Sequence, residues 1–348
     1  MTSVAMFNNK GGVGKTTLTY HLAHMLQRLG RRVLAVDLDP QSNLTAEFLE
    51  EDDLAILWDE PQSPAWPAVT DTQAKLFGPV TSDSGTIATA LAPIREGLGD
   101  IAHQSPVQIK DNLWLMPGDL ELSGFEDKLS ESWFRCFEGD NAALRVMTAF
   151  HRLIESTREN VQADIVLIDV GPNLGAINRA ALLSADTVLT PLSADLFSLR
   201  GLHNLGPTLR GWRRSWQRNI KPHIPANISA PSGSMTPLGY VIMQPVMRLD
   251  RPVKAYRRWL DRIPGVYDTQ VIGDNASTGE QYEIATLRNY QSLMPLAHDA
   301  RKPMFDLRSA DGALGSTQTL VQRCHQEFKS LAITLLDRLE APSKTDTH

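Results

Sequence analysis

The stretch reading KGGVGKTT at positions 10–17 holds residue types at a spacing that suits phosphate chemistry. Its three glycines lack a Cβ, so the backbone can curl there and bring its N–H groups close to phosphate oxygens. Lys15 is placed to reach the β- and γ-phosphates of a nucleotide, and the Thr16 hydroxyl is placed to bind Mg²⁺. The sequence therefore predicts a phosphate-binding loop with a metal ion beside it.

The residues around this loop predict a strand before it and a helix after it. An apolar run at 4–7 precedes the loop, and apolar residues then recur at helical spacing at Leu18, Leu22, Met25, Leu26 and Leu29. The first turn of such a helix adds unpaired N–H groups and the positive end of the helix dipole. A glycine-rich turn with incidental lysines is the alternative, but strand, loop and helix together are the context that a phosphate-binding loop requires.

The loop departs from the usual G-x-x-x-x-G-K-[ST] pattern. Asn9 stands where that pattern has glycine, and Lys10 is a second lysine ahead of two glycines. KGGVGKTT therefore resembles the deviant Walker A motif of the ParA/MinD family of ATPases. The resemblance implies that ATP and Mg²⁺ are the cofactors and that Lys10 reaches across a homodimer to the phosphates held by the partner subunit. The nucleotide-binding residues that it implies in the loop are Gly11, Gly12, Val13, Gly14, Lys15, Thr16 and Thr17.

Two aspartates follow the next predicted strand, at 33–36. The carboxyl ends of strands are where open α/β sheets place their ligand sites. The segment containing Asp37 and Asp39 resembles the family's DxDPQ motif, which implies that Asp39 positions or activates the attacking water and that Asp37 lies close to the metal. The expected catalytic residues are then Lys10, Lys15 and Asp39. The alternative is that either aspartate only caps the following helix.

A third aspartate ends the apolar run ADIVLID at 163–169. Asp169 stands at the family's Walker B position, where a carboxylate holds Mg²⁺ through water and couples loss of the γ-phosphate to the next loop. The expected metal ligands are Thr16, Asp37 and Asp169. The next loop reads VGPNLG, whereas family members more often have DxPP or DxPAG, so Gly171 is a departure from the pattern. The continuation at 176–202 also resembles the family and predicts a strand at 186–191 and a helix beginning near Ser193.

Residues 196–249 contain no Asp or Glu and carry the first of two basic stripes. The first stripe, with Trp212 and Trp216 interleaved, has helical spacing and consists of Arg210, Arg214, Arg218 and Lys221. The second follows the helix-start signal Asp250-Arg251-Pro252 and consists of Arg251, Lys254, Arg258 and Arg262. ParA relatives bind DNA without sequence preference through basic residues late in the fold, so the stripes predict nonspecific DNA binding. The alternative is two ordinary solvated helix faces.

The last third of the chain predicts the wall beside the nucleotide base. A strand at 238–243 ends where family members carry an adenine-contacting asparagine, and this chain offers Met243 and Gln244 there, which makes Gln244 the candidate base contact. Residues 281–307 resemble the family's closing segment, which packs beside the base. A C-terminal amphipathic helix follows, and its apolar positions, which fit a core-packing role, are Leu320, Cys324, Phe328, Leu331, Leu335 and Leu339.

The length of the chain allows one large α/β domain or two ordinary ones, and the resemblance implies a single P-loop ATPase domain over 1–348. The 348 residues are 42% hydrophobic and 21% charged, which is ordinary for a globular protein. The net charge of -6 gives no overall basic character that would indicate nucleic-acid binding. No apolar run is long enough to span a membrane. The two cysteines form no CxxC pair, which excludes iron–sulfur relatives. We expect a doubly wound, mostly parallel sheet with helices on both faces, including an amphipathic helix at 140–160. An acidic, proline-rich surface insertion is expected at 47–83 and a disordered tail at 340–348.

Together these features predict a cytoplasmic, nucleoid-associated ATPase that forms an ATP-sandwich homodimer and binds DNA. A ParB-like or cargo-adaptor protein is expected to stimulate its hydrolysis of ATP. No helix-turn-helix segment precedes the loop, so the DNA contact should be nonspecific. A MinD-like membrane-positioning ATPase is ranked lower, because it would need a basic amphipathic C-terminal helix that inserts in lipid. A metabolic ligase or kinase on the same fold would turn over a small molecule without a macromolecular partner. A non-hydrolysing scaffold is disfavoured by the complete set of loop and carboxylate residues.

Overall fold

Short buried strands and longer helices alternate through most of the chain. The computed structural model describes residues 2–58, 80–81, 83–243, 247–248, 251–252, 254–273, 281–290 and 292–341. The strands in these residues are β1 (Thr2–Met6), β2 (Val33–Asp37), β3 (Val107–Lys110), β4 (Leu113–Met116), β5 (Ile165–Asp169), β6 (Thr187–Ser193), β7 (Thr236–Met243), β8 (Met247–Arg248), β9 (Arg251–Pro252) and β10 (Glu283–Leu287).

The helices lie between these strands and after the last one. They are α1 (Lys15–Arg28), α2 (Asn43–Phe48), α3 (Glu51–Leu57), α4 (Ile87–Glu96), α5 (Glu126–Arg135), α6 (Asn141–Met147), α7 (Ala149–Val161), α8 (Ala176–Ser184), α9 (Leu196–Ser215), α10 (Lys254–Leu260), α11 (Ile263–Val266), α12 (Met294–Ala300) and α13 (Ser316–Glu340). A 3₁₀ segment, Leu120–Phe125, leads into α5, and π-helical turns occupy Trp216–Ile220 and Tyr267–Ile272.

Eight of the strands form one sheet in the order β10-β7-β6-β1-β5-β2-β4-β3. All neighbours are parallel except β3 and β4, which form an antiparallel edge. The chain winds outward in both directions from β1, and this confirms the predicted doubly wound sheet. The register pairs Met6 with Asp169 and Asp169 with Asp37, so the ends of β1, β5 and β2 meet at one point of the sheet edge.

Helices cover both faces of the sheet, and the central strands are therefore buried on both sides. Every residue of β2 and β5 is buried, as is expected for parallel strands covered on two faces. Helices α4 to α9 pack on one face, whereas α1 and α13 pack on the other. The buried stripe of α13 includes Cys324, Phe328 and Leu331, which agrees with the predicted core role of this helix.

Several boundaries differ from the sequence prediction. The helix expected at 140–160 is divided into α6 and α7 at Thr148, whose hydroxyl donates to the carbonyl of Leu144 at 2.8 Å. The Thr148 N–H donates to the same carbonyl at 3.0 Å, so the backbone bond is kept, and a hydroxyl bond of this kind often bends a helix. The helix expected near Ser193 begins instead at Leu196, because β6 runs on to Ser193 and Asp195 provides the helix cap.

The acidic insertion is more regular than predicted at its start. Residues 51–57 form α3, and Leu49 and Leu57 are buried in a small apolar cluster beside the sheet. Residues 59–79 and residue 82 of the predicted insertion lie outside the described residues. At the other end of the chain α13 continues through Glu340, whose carboxylate accepts from Arg31 at 2.7 Å, so the predicted tail cannot start there. Residues 342–348 lie outside the described residues.

Candidate nucleotide site

The loop between β1 and α1 has the backbone geometry that phosphate binding requires. Gly12 and Gly14 have φ angles of +70° and +88°, a conformation that glycine adopts without steric cost. Gly14 caps α1, and its carbonyl accepts from the Leu18 N–H at 2.9 Å. The loop faces a cleft of about 600 Å³, which is also lined by Asp39, Pro172 and residues of α2 and α12. The cleft is large enough for a nucleotide and presents the N-terminus of a helix to it.

Lys15 lies at the floor of this cleft, with only 7% of its surface exposed. Burial lowers the pKa of its ammonium group, and the nearby carboxylates of Asp169 and Asp39 oppose that shift. A desolvated cation is attracted strongly to the charged oxygens of a phosphate, because little water screens the interaction. The geometry therefore places Lys15 where the predicted role requires it.

Thr16 and Asp169 meet at the metal position predicted from sequence. The Thr16 Oγ1 donates to Asp169 Oδ2 at 2.7 Å, and Thr19 Oγ1 lies 3.4 Å from the other carboxylate oxygen. Burial raises the pKa of Asp169 to about 7, against hydrogen bonds from Thr16 and Thr19 and the charge of Lys15. A hydroxyl and a carboxylate are hard oxygen donors of the kind that Mg²⁺ prefers.

The pair fits a Mg²⁺ ion that also takes ligands from phosphate and water. Among the described residues, no group of three His, Cys, Asp or Glu side chains could hold a metal ion by itself. Mg²⁺ commonly binds through one or two protein oxygens together with substrate phosphates. Thr16 and Asp169 are therefore suited to hold Mg²⁺ when a nucleotide is bound.

Asp37 lies behind this pair and is fully buried. Its Oδ2 accepts from the N–H and the hydroxyl of Thr45 at 2.8 and 2.7 Å, and its Oδ1 lies 3.3 Å from the N–H of Asp39. Burial and the charge of Asp169 raise the pKa of Asp37 to about 8. These contacts fix the loop that follows β2, and the bond to the Thr45 N–H in the first turn of α2 is the kind of contact that the capping alternative predicted for Asp37. A role for Asp37 beside the metal stays a prediction.

Asp39 stands at the mouth of the cleft and is 6% exposed. Its Oδ1 accepts from the N–H of Gln41 at 3.0 Å. A Cβ at Gly171 would come within 3.3 Å of the same oxygen, so the glycine that departs from the family pattern leaves room for the Asp39 carboxylate. Asn178 fixes this second loop by donating to the carbonyls of Gly171 and Asn173 at 2.8 and 2.7 Å. Asn178 could not be predicted from sequence, because it binds backbone carbonyls and these are present at every residue type.

Lys10 forms an ion pair with Asp195. The two side chains are 30% and 31% exposed. Asp195 also caps α9, since its Oδ1 accepts from the Ser198 N–H at 2.8 Å. Burial raises the pKa of Asp195, but the hydrogen bonds from Lys10 and Ser198 outweigh it and hold that pKa below its usual value. The only sequence signal for Asp195 was its spacing from Ser198, which is typical of a helix cap.

The predicted base region is only partly described. Strand β7 ends at Met243, and a Cβ at Gly14 would lie 3.1 Å from the Met243 Cε, so this strand does end against the phosphate loop. Gln244 lies outside the described residues. Met294 and His298 of α12 line the cleft, which places the predicted closing segment beside it.

The first basic stripe is shorter than predicted. Arg214, Arg218 and Lys221 are exposed, but Arg210 is half-buried, and its guanidinium donates to the carbonyls of Gln270 and Val271. Arg210 therefore joins α9 to the 267–272 turn and is removed from the candidate DNA surface. The interleaved tryptophans are core residues too, since Trp216 is fully buried and Trp212 packs against the same core. The helical spacing in the sequence could not show which of these side chains would face solvent and which would bind another part of the chain.

The second stripe does not form one continuous helix. Arg251 lies in β9, a two-residue strand paired with β8, and α10 begins only at Lys254. The predicted start at Asp250-Arg251-Pro252 is therefore wrong. Arg258 is exposed and lies over the Trp259 ring at 4.4 Å. The side chains of Arg251 and Lys254 lie outside the described residues.

Two further observations concern membrane-spanning helices and the cysteines. Among the residues that the structure describes, no helix combines the length and the apolar character needed to cross a bilayer. Both cysteines are buried and free, and burial raises the pKa of each thiol. Buried, protonated thiols are inert, which agrees with the absence of a CxxC pair from the sequence.

Comparison with known proteins agrees with this architecture. A family model described as an AAA domain matches residues 1–222. The chain is 28% identical over 207 residues to the sporulation initiation inhibitor protein Soj of Bacillus subtilis, covering 60% of this chain and 64% of Soj. It is also 28% identical over 212 residues to the chromosome partitioning protein ParA of Caulobacter vibrioides, covering 61% and 63%. The chain thus spans just under two thirds of the length of these two curated relatives.

Solved structures share the fold over nearly the whole chain. A protein of Corynebacterium diphtheriae aligns with a TM-score of 0.71 at 24% identity, covering 98% of this chain and 99% of that one. The ATP complex of Cyanothece McdA aligns at 0.57 with 15% identity and 96% coverage of both chains. A plasmid partition protein of Borrelia burgdorferi aligns at 0.54 with 16% identity, covering 97% and 99%. With the phosphate loop, the Thr16–Asp169 pair and the doubly wound sheet, these matches show that the chain belongs to the ParA-like family of P-loop ATPases.

Proposed function

We propose that this protein is a Mg²⁺-dependent ATPase that works as a nucleotide switch. ATP brings two copies together around the bound nucleotide, and hydrolysis separates them again. The observation that carries the proposal is the arrangement of the loop. Lys15 and Thr16 line the cleft, Thr16 donates to the buried Asp169, and Lys10 precedes the cleft-lining glycines with about one third of its side chain exposed. We infer that this partly exposed lysine is available to a nucleotide in a second subunit.

The roles in hydrolysis follow from these positions. Lys15 binds the β- and γ-phosphates, and Asp39 at the mouth of the cleft orients the attacking water. A bound Mg²⁺ would neutralise charge on the phosphate oxygens. Lys10 from the partner copy adds a positive charge where the transition state gains negative charge. The buried contacts of Asp37 and Asn178 hold the two loops around Asp39 in place.

The switch acts on DNA or on a cargo that moves over DNA. The exposed face of α9 carries Arg200 and Arg214, and exposed Arg218 and Lys221 follow it, the first of them in the π-helical turn Trp216–Ile220. This run of positive charge supports a nonspecific phosphate-binding surface. The names of Soj and ParA point to chromosome partitioning and sporulation, and the name of the Borrelia protein points to plasmid partition. A ParB-like or cargo-adaptor protein stimulates the hydrolysis, and the protein is cytoplasmic and associated with the nucleoid.

Binding to duplex DNA of mixed sequence tests the DNA part of this function. The measurement compares ATP, ADP and no nucleotide across a salt series, in an Asp39→Ala background that slows hydrolysis. We expect binding in ATP, with an affinity that falls steeply as salt rises. Absence of binding in all three nucleotide conditions would refute the DNA part while leaving the ATPase itself intact.

A pair of charge-matched variants locates the DNA surface. Arg214→Gln with Arg218→Gln should weaken binding and reduce the slope of log K against log salt by about two, at roughly 0.9 per lost phosphate contact. Arg145→Gln with Lys329→Gln removes the same charge from two exposed positions elsewhere and should change neither quantity. Equal effects of the two double variants would show that α9 carries only a solvated face.

Lys10→Ala tests the action of this lysine across the dimer. We expect the variant to bind ATP as a single subunit but to lose both ATP-dependent dimerisation and hydrolysis. Light scattering and phosphate release measure the two quantities. Unchanged dimerisation and hydrolysis would exclude the trans role of Lys10.

A further inference from the structure

The first turn of α9 exposes two large apolar side chains beside the phosphate loop. Phe197 is 71% exposed and Leu196 is 43% exposed. Exposure alone means little, because single apolar residues are common on protein surfaces. Phe134 on α5, for example, is 73% exposed. The neighbours of Phe197 are what distinguish it.

Leu196 and Phe197 follow directly after Asp195, the residue that holds Lys10. The next turn of α9 is packed tightly on the phosphate loop, since a Cβ at Gly201 would come within 2.7 Å of the Asn9 Oδ1. Asn8 ties the loop to the end of β6 by donating to the Pro191 carbonyl at 2.7 Å. Lys10, Asp195 and the apolar pair therefore belong to one continuous surface rather than to separate loops.

We propose that Lys10, Asp195, Leu196 and Phe197 form a contact surface for a second copy of this chain. Asp195 holds Lys10 in the free subunit, and Leu196 and Phe197 become buried when the two copies meet. The inference rests on the proposed function, because that function requires a second copy to cover the face from which Lys10 reaches. It goes further by naming the residues that make the contact and the residue that restrains Lys10.

The charges of the surface favour a second copy as its occupant. Lys10 and Asp195 neutralise each other, so two identical surfaces meet without like-charge repulsion at this place. The chain as a whole carries a net charge of -6, which would oppose contact between copies through an average part of the surface. Symmetric contacts use the same residues on both subunits, so each apolar side chain contributes twice.

Replacing Phe197 with aspartate tests the surface directly. The assay is light scattering of the full chain with ATP over a concentration series, in the Asp39→Ala background, with ADP as the nucleotide control. Phe197→Asp should weaken ATP-dependent dimerisation about a hundredfold or more, because the change falls on both subunits of a symmetric contact. Phe134→Asp, an equally exposed phenylalanine on another helix, should leave dimerisation unchanged.

Further measurements keep the result unambiguous. A fluorescent ATP analogue should bind the single subunit of Phe197→Asp as it binds the parent, and equal binding would show that the nucleotide site is folded in the variant. Phe197→Ser provides a second, milder substitution at the same position. Parent protein that dimerises in ATP together with Phe197 variants that dimerise equally well would overturn this inference alone. Parent protein that stays monomeric in ATP would overturn the dimeric switch and, with it, this surface.

Discussion

Replacing Asp195 with asparagine should strengthen ATP-dependent dimerisation, by up to about thirtyfold. In the free subunit the ion pair with Lys10 must break before Lys10 can reach a nucleotide in the other copy. Asparagine removes the negative charge but keeps the side-chain oxygen that accepts from the Ser198 N–H, and it is as good a helix cap as aspartate. The substitution therefore isolates the ion pair from the cap.

The magnitude follows from the exposure of the pair and from symmetry. The side chains of Lys10 and Asp195 are about one third exposed, and ion pairs of this kind contribute up to about 1 kcal/mol. A symmetric dimer breaks two such pairs, so the total is up to about 2 kcal/mol, which corresponds to up to about thirtyfold in the dissociation constant.

The assay is the concentration dependence of dimerisation in ATP and in ADP, measured by light scattering in the Asp39→Ala background. Asp140→Asn is the matched control, because Asp140 also caps a helix and also pairs with a cation, Arg135, but belongs to α6 rather than to the loop surface. The midpoint concentration should fall in Asp195→Asn and stay constant in Asp140→Asn. An unchanged or higher midpoint in Asp195→Asn would refute the idea that Asp195 restrains Lys10.

Three further predictions concern the loop and the helix that follows it. Gly14→Ala should lower the free energy of unfolding by about 1–2 kcal/mol, because φ is +88° at this position. Gly11→Ala should change the free energy little, because there is open space around Gly11. Urea unfolding without nucleotide measures both. Thr16→Val should abolish the Mg²⁺-dependent part of ATP binding and keep the Mg²⁺-independent part, as titrations with and without EDTA would show. Burial lowers the pKa of His21 to about 4, whereas a histidine in the unfolded chain has a pKa of about 6.5. As pH falls below about 6.5, His21 is therefore protonated in the unfolded chain before it is protonated in the folded one. Up to about 3 kcal/mol of stability is lost by pH 4 for this reason. Urea unfolding at pH 7 and pH 5 should show this loss, and His21→Gln should show a smaller one; equal losses would contradict the assignment.

The conformation of the phosphate loop and the buried strand that ends at Asp169 could be predicted from sequence because their determinants are local. Gly12, Gly14 and Lys15 act through the backbone of one loop, and Asp169 ends a run of apolar residues that can only be a buried strand. The doubly wound, mostly parallel character of the sheet followed from the same alternation of strands and helices. The contact between Thr16 and Asp169 joins residues that are 153 positions apart, so the family resemblance and not a local pattern predicted it.

The parts that sequence reasoning missed depend on distant contacts or on the exact path of the backbone. Arg210 has the spacing of a DNA-facing residue, but the π-helical turn at 267–272 supplies carbonyls that bind it. The predicted helix divides at Thr148, whose hydroxyl donates to the Leu144 carbonyl. Asp195 is 185 residues from Lys10 in the sequence, so only the packing of α9 on the loop brings the two together.

Helix α9 joins the two functional surfaces proposed for this protein. Asp195 and Phe197 lie at its start, next to the phosphate loop, and Arg214 lies in its last turn. Twenty residues of helix span about 30 Å, which is well beyond the distance at which separate substitutions usually influence each other. Substitutions at Asp195 should therefore change the dimerisation constant without changing the salt slope of DNA binding, and substitutions at Arg214 should do the reverse. A single helix can thus connect a nucleotide-dependent contact to a DNA surface while the two remain chemically separate.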